Sequence, residues 1–316
     1  MIPQFVFLLQ IVAPIFVVMA AGYAMRKIGI LTAEADRSLT RVVVMLLAPC
    51  LAFDIIIGNE SLANPKNWLL PPILGFATVV AGVIVSRLAA KAFGIREGKV
   101  RRTFVYTTSL QNYGYIPIPL CAALFDRETA GVLFALFLGV EMAFWSIALW
   151  QLTGRAEKGE WKRMISPPMV AIPVALLLNA LGAVNWIPAA VDTTFHLLGV
   201  CAVPMALLLS GALIADYLNK ESLRHGAKTI GVSTLVRIGV VPILILLFAK
   251  FTPLDQALKA VLVLQAAMPA AIFPIVVTKA HDGDVPTALQ VVIGTSLIGL
   301  VTIPLWLGFG LHWVLG

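Results

Sequence analysis

The chain has 316 residues, 60% of them hydrophobic and only 12% charged, with a mean hydropathy of +0.95. Soluble domains carry about 25% charged residues, so this chain has too few polar groups to cover a globule in water. Apolar runs recur at about twenty residues, the length of a membrane helix, with none of the short alternating strands of a barrel, and the net charge of +7 therefore reads as membrane orientation rather than a nucleic-acid footprint.

The first apolar run, Phe5 to Met25, has no basic residue before it and no small-residue cleavage site after it. A retained span is expected there, not a signal peptide. The pattern predicts ten spans: 5–25, 40–58, 68–91, 101–124, 129–152, 168–183, 189–217, 229–250, 256–280 and 286–314. The linkers are short and leave no room for an inserted soluble domain. Basic residues crowd alternate linkers and their flanks: Arg26, Lys27, Arg37 and Arg41; Arg87, Lys91, Arg96, Lys99, Arg101 and Arg102; Arg155, Lys158, Lys162 and Arg163; Lys220, Arg224 and Lys228; and Lys279. The opposite linkers hold only Lys66, Arg127, Lys250 and Lys259. Basic loops stay inside, so both termini are expected outside, on the periplasmic face of a multi-pass cell (inner) membrane. Cys50, Cys121 and Cys201 lie inside spans with no paired spacing and are expected to be small buried residues, without disulfides or a metal site. Trp145, Trp150, Trp161, Trp186, Trp306 and Trp313 fall mostly near predicted interfaces, as an aromatic belt would.

Two halves of five spans resemble each other. Ala48-Pro49 matches Val203-Pro204, Leu110-Gln111 matches Leu264-Gln265, and Ser146 to Trp150 matches Thr302 to Trp306, all at offsets of 154 to 156. Five is odd, so the second half enters from the opposite side and the repeat is inverted, a plan found in secondary transporters. The expected division is 1–152 and 168–316. Pro49 and Pro204, at matched places in the second and seventh spans, read as kinks or as bends around a moving part.

The stretch QNYGYIPIPL, residues 111–120, puts two amides, a glycine and two prolines inside the fourth span, and the ninth carries Pro269 and Pro274. Proline removes a backbone donor and displaces a carbonyl. In hydrocarbon such backbone belongs where it lines a cavity or is buried in protein. One proline would read as a kink; two breaks at equivalent places, flanked by Gln111, Asn112 and Gln265, point to a substrate site where half-helix amino ends favour an anion such as a carboxylate. Tyr113, Tyr115 and Phe273 either wall that site or pack elsewhere.

Glu141, mid-span in LGVEMAFW, is a candidate proton-coupling residue or a hydrogen-bonded structural acid. Arg237 could neutralise a carboxylate, pair with Glu141 or Asp54, or snorkel to the interface. Asp54, Asp192 and His196 lie near outer ends, where an interfacial role fits best.

Asn112 to Leu120 resembles the N-x-G-x-x-G-x-P-L motif of the auxin efflux carrier family, which includes bacterial dicarboxylate permeases and plant auxin exporters, and Pro269 to Lys279 is similar to the matching ninth-span motif. Asn112, Gly114, Pro119 and Pro274 match; Pro117 stands where the family's second glycine is usual, so the family's backbone contacts do not carry over there. The resemblance implies a scaffold of spans 1, 2, 6 and 7, a mobile transport domain of spans 3–5 and 8–10, a homodimer, and an elevator-like motion carrying an organic anion such as malonate or malate.

No HExxH, GxSxG or Gly-Lys-Ser loop is present, so neither an enzyme nor an ATP-driven pump is expected. No cofactor, metal or nucleic-acid partner is implied; coupling to H⁺, to Na⁺ or to neither stays open. The expectation is an all-α secondary transporter for a small organic anion. The alternatives are a receptor that binds such an anion without moving it, and a sodium-coupled carrier like the bile-acid symporters.

Overall fold

The computed structural model describes residues 2–63, 66–154, 166–218 and 226–316. The linker cations Arg155, Lys158, Lys162, Arg163, Lys220 and Arg224, and Trp161, lie outside the described residues. The chain forms helices throughout: α1 Ile2–Lys27, α2 Ala33–Ile56, α3 Lys66–Ala92, α4 Lys99–Ser109, α5 Pro117–Leu124, α6 Arg127–Thr153, α7 Pro167–Ala180, α8 Ala189–Gly199, α9 Ala202–Tyr217, α10 Ala227–Phe251, α11 Gln256–Ala266, α12 Pro274–Ala280 and α13 Val285–Leu315. This is a helical, polytopic membrane protein.

Ten spans were expected, the fourth and ninth of them broken, and the structure corrects the count of full-length crossings. Among the described residues, seven stretches are long and apolar enough to cross a membrane: α1, α2, α3, α6, α8 with α9, α10 and α13. The expected span 101–124 is two short helices, because the chain leaves helix at Leu110 and resumes only at Pro117, whose fixed φ suits a first helical position. Span 256–280 splits likewise: Pro269 restricts Met268 before it, and α12 starts on Pro274. Span 168–183 shrinks to α7, which ends before Gly182 takes a left-handed φ of 72°.

Prolines inside the long helices are absorbed locally. The π-helical turns Val43–Leu47 and Leu235–Val240 immediately precede Pro49 and Pro242 and make room for their rings. Pro242 deprives the Ile238 carbonyl of its helical partner, and Trp306 Nε1 donates to that oxygen at 2.7 Å. Trp306 therefore has a structural partner inside the bundle, beyond the belt role expected from sequence.

Glycines set the two closest helix crossings. A Cβ on Gly22 would lie 2.0 Å from Leu208 O and one on Gly211 1.8 Å from Met19 O, which locks α1 onto α9. Gly75 and Gly139 do the same for α3 and α6, with Leu136 O at 2.3 Å and Pro72 O at 1.6 Å. Without a hydrophobic drive in lipid, such backbone approach is what holds membrane helices together.

Polar ties sort the linkers onto two ends. At one end Arg26 pairs with Asp36 and, at 3.4 Å, with Asp216, and Lys27 donates to Ala215 O at 3.0 Å. At that end too Lys228 donates to Gly94 O at 3.0 Å, Lys99 pairs with Asp282, and Lys279 sits 5.3 Å from the Tyr217 ring centre. At the other end Arg127 reaches the carbonyls of Asp54 and Ile57, and Asn179 brackets residues 58–59. Matching caps recur in the two halves: Asp126 accepts from Thr129 N at 2.8 Å and Asp284 from Thr287 N at 2.9 Å. Burial of the cysteines holds for Cys50 and Cys121; Cys201 is instead exposed on the helix surface.

Candidate functional site

The two breaks meet. Asn112 N donates to Pro269 O at 2.8 Å and Ala271 N to Leu110 O at 2.9 Å, an antiparallel bridge centred on Gln111 and Ala270. The strands oppose each other there, as two halves of opposite orientation would. Neighbours engage the irregular segments: Ala270 N donates to Thr295 Oγ1 at 3.2 Å, Gln265 Nε2 to Tyr113 O at 3.1 Å, and the Gln111 side chain, through Nε2, to Thr78 Oγ1 at 3.1 Å. Irregular backbone is thereby satisfied by neighbours, the condition for its survival at membrane depth.

The amino ends of the half-helices are less open to an anion than the sequence suggested. Ile116 N is held at 3.3 Å by Asn112 Oδ1 and Ile118 N at 3.0 Å by Gly114 O, while Pro117 and Pro119 have no N–H. Ile275 and Val276 N donate at 3.0 Å to Ile272 and Phe273 O. The Asn112 side-chain NH₂, with its Oδ1 engaged, is a donor at the head of α5.

A cavity of about 270 Å³ lies beside the crossing. One wall is the crossing and α6: Asn112, Tyr113, Gly114, Tyr115 and Ile118; Ala271, Ile272 and Phe273; Phe134, Phe137, Glu141 and Trp145. The facing wall comes from α2, α7 and α9: Val43, Val44, Ala48, Leu51 and Ala52; Ser166, Pro168, Met169 and Ile172; Ala202 and Val203. Glu141 accepts from Tyr113 OH and, at 2.8 Å, from Trp145 Nε1. Two donors on one carboxyl tie α6 to the crossing and hold both rings against the cavity. Phe273 packs between Phe144 and Trp145 at centroid distances of 6.0 and 6.4 Å. A Cβ on Gly114 would meet nothing within 4 Å, so neither packing nor its backbone angle demands glycine there.

Of the residues singled out from sequence, Asn112, Tyr113, Gly114, Tyr115, Phe273 and Glu141 line this cavity. Gln111, Gln265, Pro117, Pro119, Pro269 and Pro274 shape the crossing and do not line it. Arg237 is elsewhere. Its side chain is 0% exposed, so it does not snorkel, and all three guanidinium nitrogens lack a protein acceptor, so it pairs with neither Glu141 nor Asp54. Asp54 instead faces His196 Nδ1 at 3.3 Å. Trp145, expected in an interfacial belt, lines the cavity.

Phe134, Phe137, Glu141 and Trp145 were not read together from sequence. Their spacing of three, four and four residues puts them on one helix face, a signal that was present but hidden in a helix apolar all round. The wall from α2, α7 and α9 carries no sequence signal beyond Pro49 and Pro204, which sit one residue past Ala48 and Val203.

A family model described as membrane transport protein matches residues 7–162 and 156–307. A relative named an uncharacterized transporter, from Methanothermobacter thermautotrophicus, is 25% identical over 304 residues, covering 94% of this chain and 96% of its own. Another, from Methanocaldococcus jannaschii, is 23% identical over 306 residues, covering 94% and 97%. Two satisfied helix breaks crossing beside a cavity between two helical walls fit those matches, and the chain belongs to the membrane transport protein family.

Proposed function

We propose that the chain is a secondary transporter for a small organic anion with one carboxylate, taken up beside the crossing and released by alternating access. The observation that carries this reading is the bridge at Gln111 and Ala270 bordering a cavity that presents Asn112. The solute's carboxylate meets the Asn112 amide at the head of α5, and its apolar body lies among Tyr113, Tyr115, Phe134, Phe137, Trp145 and Phe273. Malonate or malate, which the resemblance implies, fits less well, because among the described residues no Lys, Arg or His lines the cavity for a second carboxylate. Glu141 is the coupling group in this reading: it is the titratable acid in the lining, and the solute's charge crosses with its proton.

In the same reading α4 with α5, and α11 with α12, complete ten crossings as a 5+5 inverted repeat, 1–152 and 168–316. The contacts among alternate linkers at each end support it. The wall of α2 and α7–α9, with α1, acts as scaffold; the crossing with α3, α6, α10 and α13 moves against it as an elevator, in a homodimer with both termini outside. The glycine-locked pairs α1–α9 and α3–α6 each fall within one of these bodies.

Counterflow in liposomes tests the proposal: saturable exchange of a labelled monocarboxylate supports it, and binding without flux makes the protein a receptor. Uptake by a Glu141→Gln protein with unchanged pH dependence would reject the coupling role. A second reading is favoured by one observation: a carboxylate among aromatic rings also suits an organic ammonium ion. A thermal-shift panel of monocarboxylates, dicarboxylates and amines, with and without Na⁺, separates these and the sodium-coupled alternative, since only true ligands raise the melting temperature.

A further inference from the structure

The two walls of the cavity touch through hydrogen bonds at one end of the bundle. Arg127 is the first residue of α6, where a cation opposes its own helix dipole. Its placement makes sense across the gap: Arg127 Nη2 donates to Asp54 O and, at 2.9 Å, to Ile57 O, at the carboxyl end of α2, where a positive charge is favoured. Asn59 completes the knot. It is 2% exposed, its Nδ2 donates to Arg127 O at 2.8 Å, its Oδ1 accepts from Leu62 N at 3.2 Å, and its carbonyl accepts from Asn179 Nδ2 at 2.9 Å. Asn179 Oδ1 in turn accepts from Gly58 N at 2.7 Å. The knot thus runs from α7 and the end of α2, on one wall, to the start of α6, on the other. Gly131 lies directly under it, since a Cβ there would sit 2.3 Å from Asn59 Nδ2.

The opposite end is different. Among the described residues its hydrogen bonds and ion pairs join α1 to α2 and α9, or α3, α4, α10 and the α12–α13 linker to one another, and the Lys279–Tyr217 ring contact crosses between the walls. The cavity reaches that end through Ser166, Pro168 and Val43. The geometry points to the Arg127–Asn59 knot as a releasable latch. It closes the cavity at the Arg127 end in the state described, and it must part before a solute leaves or enters there. This inference uses the two-wall reading above, but its test needs no substrate.

The reporter is Ile118→Cys in the cavity lining, in a Cys201→Ser background; Cys50 and Cys121 are buried. A membrane-impermeant maleimide is applied to either face of sealed vesicles. With the latch intact, labelling comes from the Ser166 face. Arg127→Leu removes the donors, and Gly131→Ala pushes the Asn59 amide off its acceptor without touching any charge. Either is expected to raise labelling from the Arg127 face by about tenfold, the population shift of losing one to two hydrogen bonds. Arg127→Lys keeps the charge and is expected to restore most of the protection. Unchanged labelling from both faces in a monodisperse Gly131→Ala protein overturns the latch. Failure of counterflow with a normal labelling response would count against the transport reading and leave the latch standing.

Discussion

The two breaks that cross beside the cavity share a backbone plan and differ in chemistry. The first gives the cavity an amide, a glycine and two tyrosines; the second gives Ala271, Ile272 and the ring of Phe273. Both breaks are anchored: the first through Asn112 N on Pro269 O and Gln265 Nε2 on Tyr113 O, the second through Ala270 N on Thr295 and Ala271 N on Leu110 O. The crossing is shared, and the two breaks differ in what they present to the cavity.

That contrast can be broken from the support side first. Ala271→Pro removes the donor to Leu110 O and leaves that buried acceptor unpaired, and is expected to cost about 1–3 kcal/mol, read as a fall in melting temperature. Asn112→Ala attacks the recognition side. Loss of a hydrogen bond to a charged ligand should weaken binding by about 1.5–3 kcal/mol, or roughly ten- to a hundredfold in affinity, by thermal shift or counterflow. Removing a cap from either half, Asp126→Ala or Asp284→Ala, should cost about 1 kcal/mol each, with similar losses if the halves are equivalent there. The Asp126 carboxyl is held below its usual value chiefly by the Thr129 backbone N–H. A depressed carboxylate stabilises above its unfolded pKa of 3.8, and the contribution is lost as pH falls through the lowered folded value. The melting-temperature gap between wild type and Asp126→Ala should therefore be constant near neutral pH and close only in acid. Smallest in stability is Gly114→Ala, expected within about 0.5 kcal/mol of wild type because the added methyl meets no protein atom. Its effect should be on ligand size alone, seen as a shorter list of acids that protect the protein.

The breaks were legible because proline and glycine are local signals. The expected count of ten fell to seven long spans among the described residues because the fourth and ninth, whose breaks were expected, consist of half-helices, and the sixth is short. Arg237 was misread because depth alone was visible; its complete enclosure depends on helices remote in sequence. The α6 face and the α2, α7 and α9 wall were missed since helices apolar on every side give no moment to show which residues turn inward. Arg127 had been only one of four charges on the sparse side, and its partners are carbonyls, which no side-chain pattern records.

Trp145 has a practical consequence. Its indole borders the cavity and donates to Glu141, whereas the other five tryptophans among the described residues are absent from the cavity lining. Occupancy of the site would disturb the emission of that one fluorophore against a constant background. The protein thereby carries an intrinsic optical gauge, one that a Trp145→Phe control would silence and that needs no radiolabelled compound.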